Sequence, residues 1–319
     1  MAAFLIRRFV EAIPVIFLAT LVIFLGMRLI PGDPALVLAG QDASPETLAA
    51  IRRANGLDRP LPVQYVIWLN NALHTDFGVS FFTRAPVAQL IAQRAPATLE
   101  LGLAAMLLTI VLSVPTGVIA AVRHHRPIDF LVSGFNGLAV AVPSFWLGIL
   151  AILLFSLVLG WLPPGGRADF MRDPGLELKF LLLPALTLAL PGVAAVSRLV
   201  KSAMLEVLGD DYVRTARAKG VAEQGVVLGH ALRNALVPVV TLLGLQFGRL
   251  LGGAVVTESV FSWPGLGRLI RDAISNRDYA VVQATLLLLV VTFIIINLLT
   301  DVLYGILDPR IRLAGGRSR

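Results

Sequence analysis

Apolar residues gather into long stretches along the chain: Phe9–Ile30, Leu99–Val122, Leu131–Leu159, Phe180–Val200, Leu236–Val256 and Val281–Ile306. A bilayer core of about 30 Å takes about 20 apolar residues in a helix, and each stretch is long enough. The pattern therefore predicts an all-α integral membrane protein with six transmembrane helices. The first stretch follows Arg7 and Arg8, as a secretory leader would. Its apolar run is too long for a leader and no small-x-small site closes it, so it is read as an uncleaved span. Prolines fall at Pro14, Pro115, Pro143, Pro184, Pro191 and Pro238, where each removes a backbone donor and tends to kink a helix.

Two polar segments interrupt the apolar pattern, residues 31–98 and residues 201–235. The first opens with the turn-rich Pro31-Gly32-Asp33-Pro34. Ser44-Pro45-Glu46 then offers an N-cap and an acidic first turn, predicting a short helix to about Ala54. A second helix is expected from Pro62 through Leu73, with Tyr65 and Trp68 on one face. Such a subdomain suits a lid, a docking surface or an ordered loop. No repeat at solenoid period and no low-complexity tract divides the chain, so residues 1–319 read as one transmembrane domain.

Composition agrees with the pattern. Hydrophobic residues make up 57% of the chain and charged residues 15%, too few charges to cover a soluble protein with that much apolar surface. The mean hydropathy is +0.82. The net charge of +7 is read as the basic flanks of membrane spans and not as a nucleic-acid footprint. With the N-terminus inside, Arg7, Arg8, Arg123, Arg126, Arg198, Lys201, Arg214, Arg217, Lys219, Arg233 and the tail arginines Arg310, Arg312, Arg317 and Arg319 all lie on the inner side. The outer side keeps Arg167, Arg172, Lys179, Arg268, Arg271 and Arg277, plus five arginines in the long 31–98 segment. Charge in so long a loop counts little toward orientation, so both termini are expected in the cytoplasm.

Several chemistries are excluded. The absence of Cys removes disulfides, thiolate metal sites and Cys nucleophiles, and the four His show no zinc-like spacing. No metal site, cofactor site or catalytic residue is expected. There is no G-x-x-x-x-G-K-[ST], hence no P-loop for ATP, and no G-x-S-x-G for hydrolysis. The carboxylates in or beside the spans, Glu11, Glu100, Glu258 and Asp301, lie near predicted ends, which argues against a self-contained proton-coupled carrier.

The inner segment is the most informative. Gly209 and Asp210 end the preceding helix. Acids then open the run Asp211-Tyr212-Val213-Arg214-Thr215-Ala216-Arg217-Ala218-Lys219, and bases fill its last turn before Gly220. That is a short helix with a favourable dipole and a glycine stop. A second short helix is expected over Glu223–Arg233. The pattern alone fits two readings, a docking helix that passes force from a soluble partner and a solvated basic loop.

These residues resemble the EAA coupling loop of permeases in binding-protein-dependent ABC importers, more narrowly the dipeptide/oligopeptide permease family with its nickel and glutathione members. The matching motifs run from Arg7-Arg8 and Ile30-Pro31-Gly32-Asp33-Pro34 through Leu61-Pro62-Val63-Gln64-Tyr65 with Trp68. They continue through Asp76-Phe77-Gly78-Val79-Ser80, Ala97-Thr98-Leu99-Glu100-Leu101 and Pro143-Ser144-Phe145-Trp146. The strongest are Asp211 through Gly220, Arg233-Asn234-Ala235, and Phe261-Ser262-Trp263-Pro264-Gly265-Leu266-Gly267. Arg214-Thr215-Ala216 stands where the general EAA pattern has Glu-Ala-Ala, a departure shared with the peptide-type branch.

The resemblance implies a type I ABC importer permease fold in a bacterial inner membrane. It implies a second homologous permease, two cytoplasmic ATPase subunits that use ATP and Mg, and an extracytoplasmic substrate-binding protein. Residues 31–98 would be the extracytoplasmic excursion and residues 201–235 the cytoplasmic coupling loop. Asp211, Tyr212, Arg214, Thr215, Ala216, Arg217, Lys219 and Gly220 would contact the ATPase.

Within the fifth stretch, Gly244, Gly248 and Gly252 recur every fourth residue beside Gly253, a small-xxx-small face suited to close helix approach. Gly244, Gly248 and Gly252, together with Gln246 and the mid-span Arg249, are candidates for the pathway or the permease interface, since a charged residue such as Arg249 calls for a polar cavity or a partner. Asn136, Asn297 and Asp301 are expected to hydrogen-bond between helices. The reading is a permease for di- or oligopeptides. The alternatives are glutathione or nickel chelates, an ATP-independent carrier or channel, and a membrane scaffold without transport.

Overall fold

The computed structural model describes residues 2–29, 35–36, 44–54 and 56–307, with the side chains of residues 2–6, 54, 251, 301 and 303–307 excepted. Ile30-Pro31-Gly32-Asp33-Pro34 and the tail arginines lie outside the described residues. The described elements are helical: α1 (Ala2–Leu29), α2 (Pro45–Ala54), α3 (Leu61–Leu73), α4 (Val87–Val122), α5 (Pro127–Ala141), α6 (Ser144–Ala151), α7 (Pro174–Leu208), α8 (Asp211–Ala218), α9 (Leu232–Val260), α10 (Leu266–Ser275) and α11 (Tyr279–Leu307). Widened π-type turns extend α6 over Ile152–Val158 and precede α9 over Gly225–Ala231. Five helical segments are long and apolar enough to cross a membrane, and the bent pair Pro127–Ala141 and Ser144–Val158 makes a sixth if it counts as one.

The expected elements are present, with informative differences. Ser44 caps α2 by accepting the Thr47 N–H at 3.2 Å, and α3 starts at Leu61, beside the proline that was to open it. The third apolar stretch is not straight. Val142 sits extended (φ −93, ψ 129) before Pro143, and the chain bends by 105° between α5 and α6. Proline's ring excludes the helical conformation from the residue before it, so this break is local chemistry. Helix α4 begins at Val87, well before the expected Leu99, and α10 was not foreseen.

The chain forms two compact units, one of Leu99–Trp263 with Met1–Phe4 and Ile296–Arg319, the other of Leu5–Thr98 with Pro264–Ile295. In the first unit α7 is the central element. It packs against α5, α6 and α9, and 67% of its apolar window is buried inside the protein, against 17% for α1. Asp173 caps it by accepting the Leu176 N–H at 2.9 Å. The core joins Val196, Val200 and Met204 of α7 to Val118 and Ala121 of α4, and to Val227, Ala231, Ala235 and Val239. Gly117 lets α4 approach closely, because a Cβ there would stand 2.6 Å from the Ser197 carbonyl oxygen. Ser197 also takes hydrogen bonds from Thr116 Oγ1 (3.1 Å) and Asn136 Nδ2 (3.2 Å), so Asn136 does link helices. The Asn297 side chain makes no hydrogen bond within the described residues, and the Asp301 side chain lies outside them.

In the second unit Val87 and Ile91 of α4 pack with Leu266 and Ala273 of α10 and with Val281, Val282 and Ala284 of α11. Thr98 Oγ1 accepts the Leu266 N–H at 2.7 Å and fixes the start of α10. Buried Asp278 accepts Ser80 Oγ at 2.5 Å and the Phe81 N–H at 3.1 Å, holding the Asp76–Ser80 loop. Tyr65 and Trp68 of α3 meet Phe24 of α1 with ring centroids 5.4 and 5.9 Å apart, on the shared face their spacing predicted.

Candidate functional site

The segment of residues 201–235 is built around α8. Helix α7 ends at Gly209, Asp210 is extended (φ −69, ψ 151), and α8 begins at Asp211. Its end is a Schellman cap. The Gly220 N–H donates to the Arg217 carbonyl at 2.9 Å and the Val221 N–H to the Ala216 carbonyl at 3.2 Å. Gly220 holds φ +80, a left-handed conformation that glycine enters without steric penalty.

One face of α8 is buried. Val213 and Ala216, three residues apart, pack on Val226, Val207 and Leu208. Helical geometry then turns Asp211, Arg214, Thr215 and Ala218 away from the protein, and all are exposed. Arg214 pairs with Asp211 at 2.7 Å on this exposed face, where such a pair is worth about 0.3–0.5 kcal/mol.

The flanks of α8 are clamped. On one side Tyr212 Oη accepts Asn234 Nδ2 at 2.6 Å and donates to the His230 carbonyl at 3.4 Å. On the other, Arg217 grips Glu223 with two bonds, Nε to Oε2 at 3.1 Å and Nη2 to Oε1 at 2.8 Å. That contact holds the Glu223 carboxyl below its ordinary value and raises Arg217. The helix expected over Glu223–Arg233 is formed, in a widened π form that merges with the next helix. The π turn Gly225–Ala231 runs straight into α9, which continues through Pro238. Widening the turn brings Val226, Val227 and Ala231 to the buried side together. Tyr212 is thereby tied to the first turn of a helix that runs to Val260.

A family model for the inner-membrane component of binding-protein-dependent transport systems matches residues 113–313, and one for the N-terminal part of such components matches residues 1–102. The chain belongs to this family. Among its relatives, a Brucella abortus (strain 2308) protein described as a peptide transport system permease is 48% identical over 98% of this chain and 99% of its own. The glutathione transport system permease protein GsiC of Escherichia coli (strain K12) is 43% identical over 98% and 99%. An inward-facing form of the MetNI methionine ABC transporter shares the fold, with a TM-score of 0.58 at 19% identity over 70% of this chain and 98% of that one. The permease is thus a multi-pass all-α membrane protein related to type I importer permeases, a transport component and not an enzyme. Among its described residues no group of three His, Asp or Glu could hold a metal ion.

The structure separates the membrane candidates. A Cβ on Gly244 would fall 1.9 Å from Thr300 Cγ2, so here α9 and α11 touch within the permease. Gly248 is buried, Gly252 is exposed with nothing near its missing Cβ, and Gly253 faces Leu188. Eight residues rotate a helix by about 80°, so Gly244 and Gly252 do not share one contact face. Gln246 is buried with its amide 3.8 Å from where a Gly192 Cβ would lie. Arg249 is exposed on α9 and forms no ion pair among the described residues.

Two polar clusters in the same unit escaped sequence reasoning. Buried Asp129, at the start of α5, meets Lys201 of α7 and accepts from His124 Nδ1 at 3.0 Å and the His125 N–H at 3.1 Å. Arg167 holds Glu100 at 2.6 Å and Glu177 at 3.4 Å, with its guanidinium 5.9 Å from the ring centre of fully buried Trp263. Partners so far apart in sequence leave no local pattern.

Proposed function

We propose that this permease is one of a pair in a peptide-type ABC importer, and that α8 is its docking element for a cytoplasmic ATPase. The observation that carries the proposal is the geometry of α8: a polar exposed face, a buried face of two residues, and flanks tied to α9 and to Glu223. We count the bent α5–α6 pair as one broken span, which would make six, and both termini would lie in the cytoplasm by the basic flanks of the spans. An extracytoplasmic binding protein would deliver substrate to the side of residues 31–98. ATP and Mg would bind in the ATPase subunits. Their closure would push Asp211, Arg214 and Thr215 and, through Tyr212 and Asn234, swing α9 to open the pathway outward.

Peptides are the substrate class best supported, given the 48% identity to a protein described as a peptide permease. The likeness to a glutathione permease fits the same reading, since glutathione is itself a tripeptide. Exposed Arg249, with Gly252 one turn along, lines the pathway or meets a carboxylate of the second permease. Arg249→Gln separates these: slower uptake of peptides with intact assembly supports the pathway role, and loss of the second permease supports the interface.

The native chain has no Cys, so single-Cys substitutions give a clean docking test. Cys at Arg214 or Thr215 should cross-link to a co-purifying ATPase, and Cys at Leu228, outside α8, should not. Purification without any ATPase, or uptake that proceeds without ATP, would overturn the reading.

A further inference from the structure

The second unit contains a cavity of about 630 Å³ that the transport reading does not use. All of its lining comes from α1, the stretch from Arg53 to Phe81, and the start of α11. Part of the lining is apolar, with Phe24, Met27, Ile67 and Ala280. Three arginines, Arg28, Arg53 and Arg59, also line it. Arg28 is half-buried and lies 5.2 Å from the Phe24 ring centre. Arg53 Nε reaches only its own helix, at the Ala49 carbonyl. None of the three pairs with a carboxylate of the described residues. The lining carboxylate, Asp76, accepts the Gly78 N–H at 3.1 Å.

Two buried polar atoms of lining residues also lack partners. Tyr279 is 6% exposed and its hydroxyl has no hydrogen-bond partner, and neither has Gln64 Oε1. A basic cavity whose wall keeps an unsatisfied buried hydroxyl is built for an anion.

The surroundings point to lipid. Helix α1 exposes Leu18, Val22 and Leu25 on the approach to Arg28. Helix α3 buries none of its residues, yet exposes Leu61, Val63, Val66 and Leu73. A short helix with that surface beside Tyr65 and Trp68 suits the membrane–water boundary. There the apolar lining would take the glycerol end of a lipid and the arginines its phosphate.

We infer that this cavity binds the phosphate of an anionic phospholipid headgroup. The test is native mass spectrometry of the full chain with its co-purifying subunits in a neutral detergent, titrated with dioctanoyl phosphatidylglycerol. At about 1 kcal/mol per arginine near a lipid surface, Arg28→Gln should weaken binding about fivefold and the Arg53→Gln/Arg59→Gln pair about 25-fold. Arg53 and Arg59 are exposed, so the paired variant folds normally, and Arg277→Gln, the same charge change outside the cavity, should leave binding unaltered. Dioctanoyl phosphatidylcholine should bind more weakly. Unchanged affinity in both cavity variants, or equal affinity for the two lipids, overturns the site. Inorganic phosphate binding as tightly as phosphatidylglycerol, or a dipeptide displacing the lipid, reassigns the cavity to a free solute and overturns the lipid.

Discussion

Gly220 offers the most direct test of the coupling role proposed for α8. A Cβ at Gly220 would have no atom within 4 Å, so substitution there creates no packing clash. The whole effect comes from its φ of +80. An ordinary L-residue in that conformation costs about 1–2 kcal/mol, asparagine less, and a β-branched residue more. The alternative to bearing the strain is to release the Schellman bonds to Arg217 and Ala216, each worth about 0.5–1.5 kcal/mol. Either route shifts the balance between ordered and frayed caps by a factor of about 5–30. Uptake of a labelled dipeptide into proteoliposomes should therefore follow a series. Gly220→Asn stays near wild type, Gly220→Ala falls several-fold, and Gly220→Val falls furthest. The amount of co-purified ATPase and the melting temperature should hold steady, because the change is confined to the end of α8. Wild-type uptake by Gly220→Val would refute the reasoning. So would an equal loss in Gly220→Asn, which would show that backbone conformation is not what the site requires.

Tyr212→Phe removes the hydroxyl that Asn234 and His230 share, so uptake should drop while ATPase co-purification and hydrolysis persist; loss of ATPase binding instead would make Tyr212 a docking contact. Asp129→Ala strands Lys201 and should destabilise the permease by about 3 kcal/mol, the low end for a broken buried pair because Lys201 is partly exposed; adding Lys201→Met should restore part of the loss in thermal melts, and strict additivity would deny the coupling. The Arg217–Glu223 contact should depend on pH in one direction. A depressed carboxyl pKa means the contact is complete above the ordinary value of 4.5 and is lost as pH falls through the lowered one. Protease cleavage between Lys219 and Glu223 should accelerate only in that acid window in the wild type, and be fast at neutral pH in Glu223→Gln.

Much of the fold was legible because membrane spans and helix ends are local features. A run of about 20 apolar residues forms a helix wherever it sits in a bilayer. Ser44 before α2 and Gly220 after α8 act on backbone groups within a few residues of themselves. The early start of α4 was not legible from hydropathy. Its first turns carry Gln89 and Gln93 on one side, while Val87 and Ile91 on the other meet α10 and α11. Helix α10 is similar: Leu266, Ile270 and Ala273 recur at helical spacing, but Arg268, Arg271 and Asp272 dilute them to a polar average. In such amphipathic segments the tertiary partner, and not the mean apolar content, decides the helix.

The proposed docking segment shows the same division at the scale of single residues. Capping and dipole placement α8 by itself, and these were readable. What holds α8 in place was not, because Asn234 reaches it from beyond a π turn that no sequence period announces, and Glu223 reaches back to Arg217 past the Gly220 turn. Energies show why those clamps matter. The buried face of α8 is little more than Val213, worth about 1.5–3 kcal/mol, with Ala216 adding less. A hydrogen bond at Tyr212 of about 0.5–1.5 kcal/mol, supported by the exposed Arg217–Glu223 pair, is therefore a sizeable fraction of the packing itself. A helix seated so shallowly would rock under a partner's push if packing alone held it. With Tyr212 fastened to the first turn of α9, such a push would pass to the helix that carries Gln246 and Arg249.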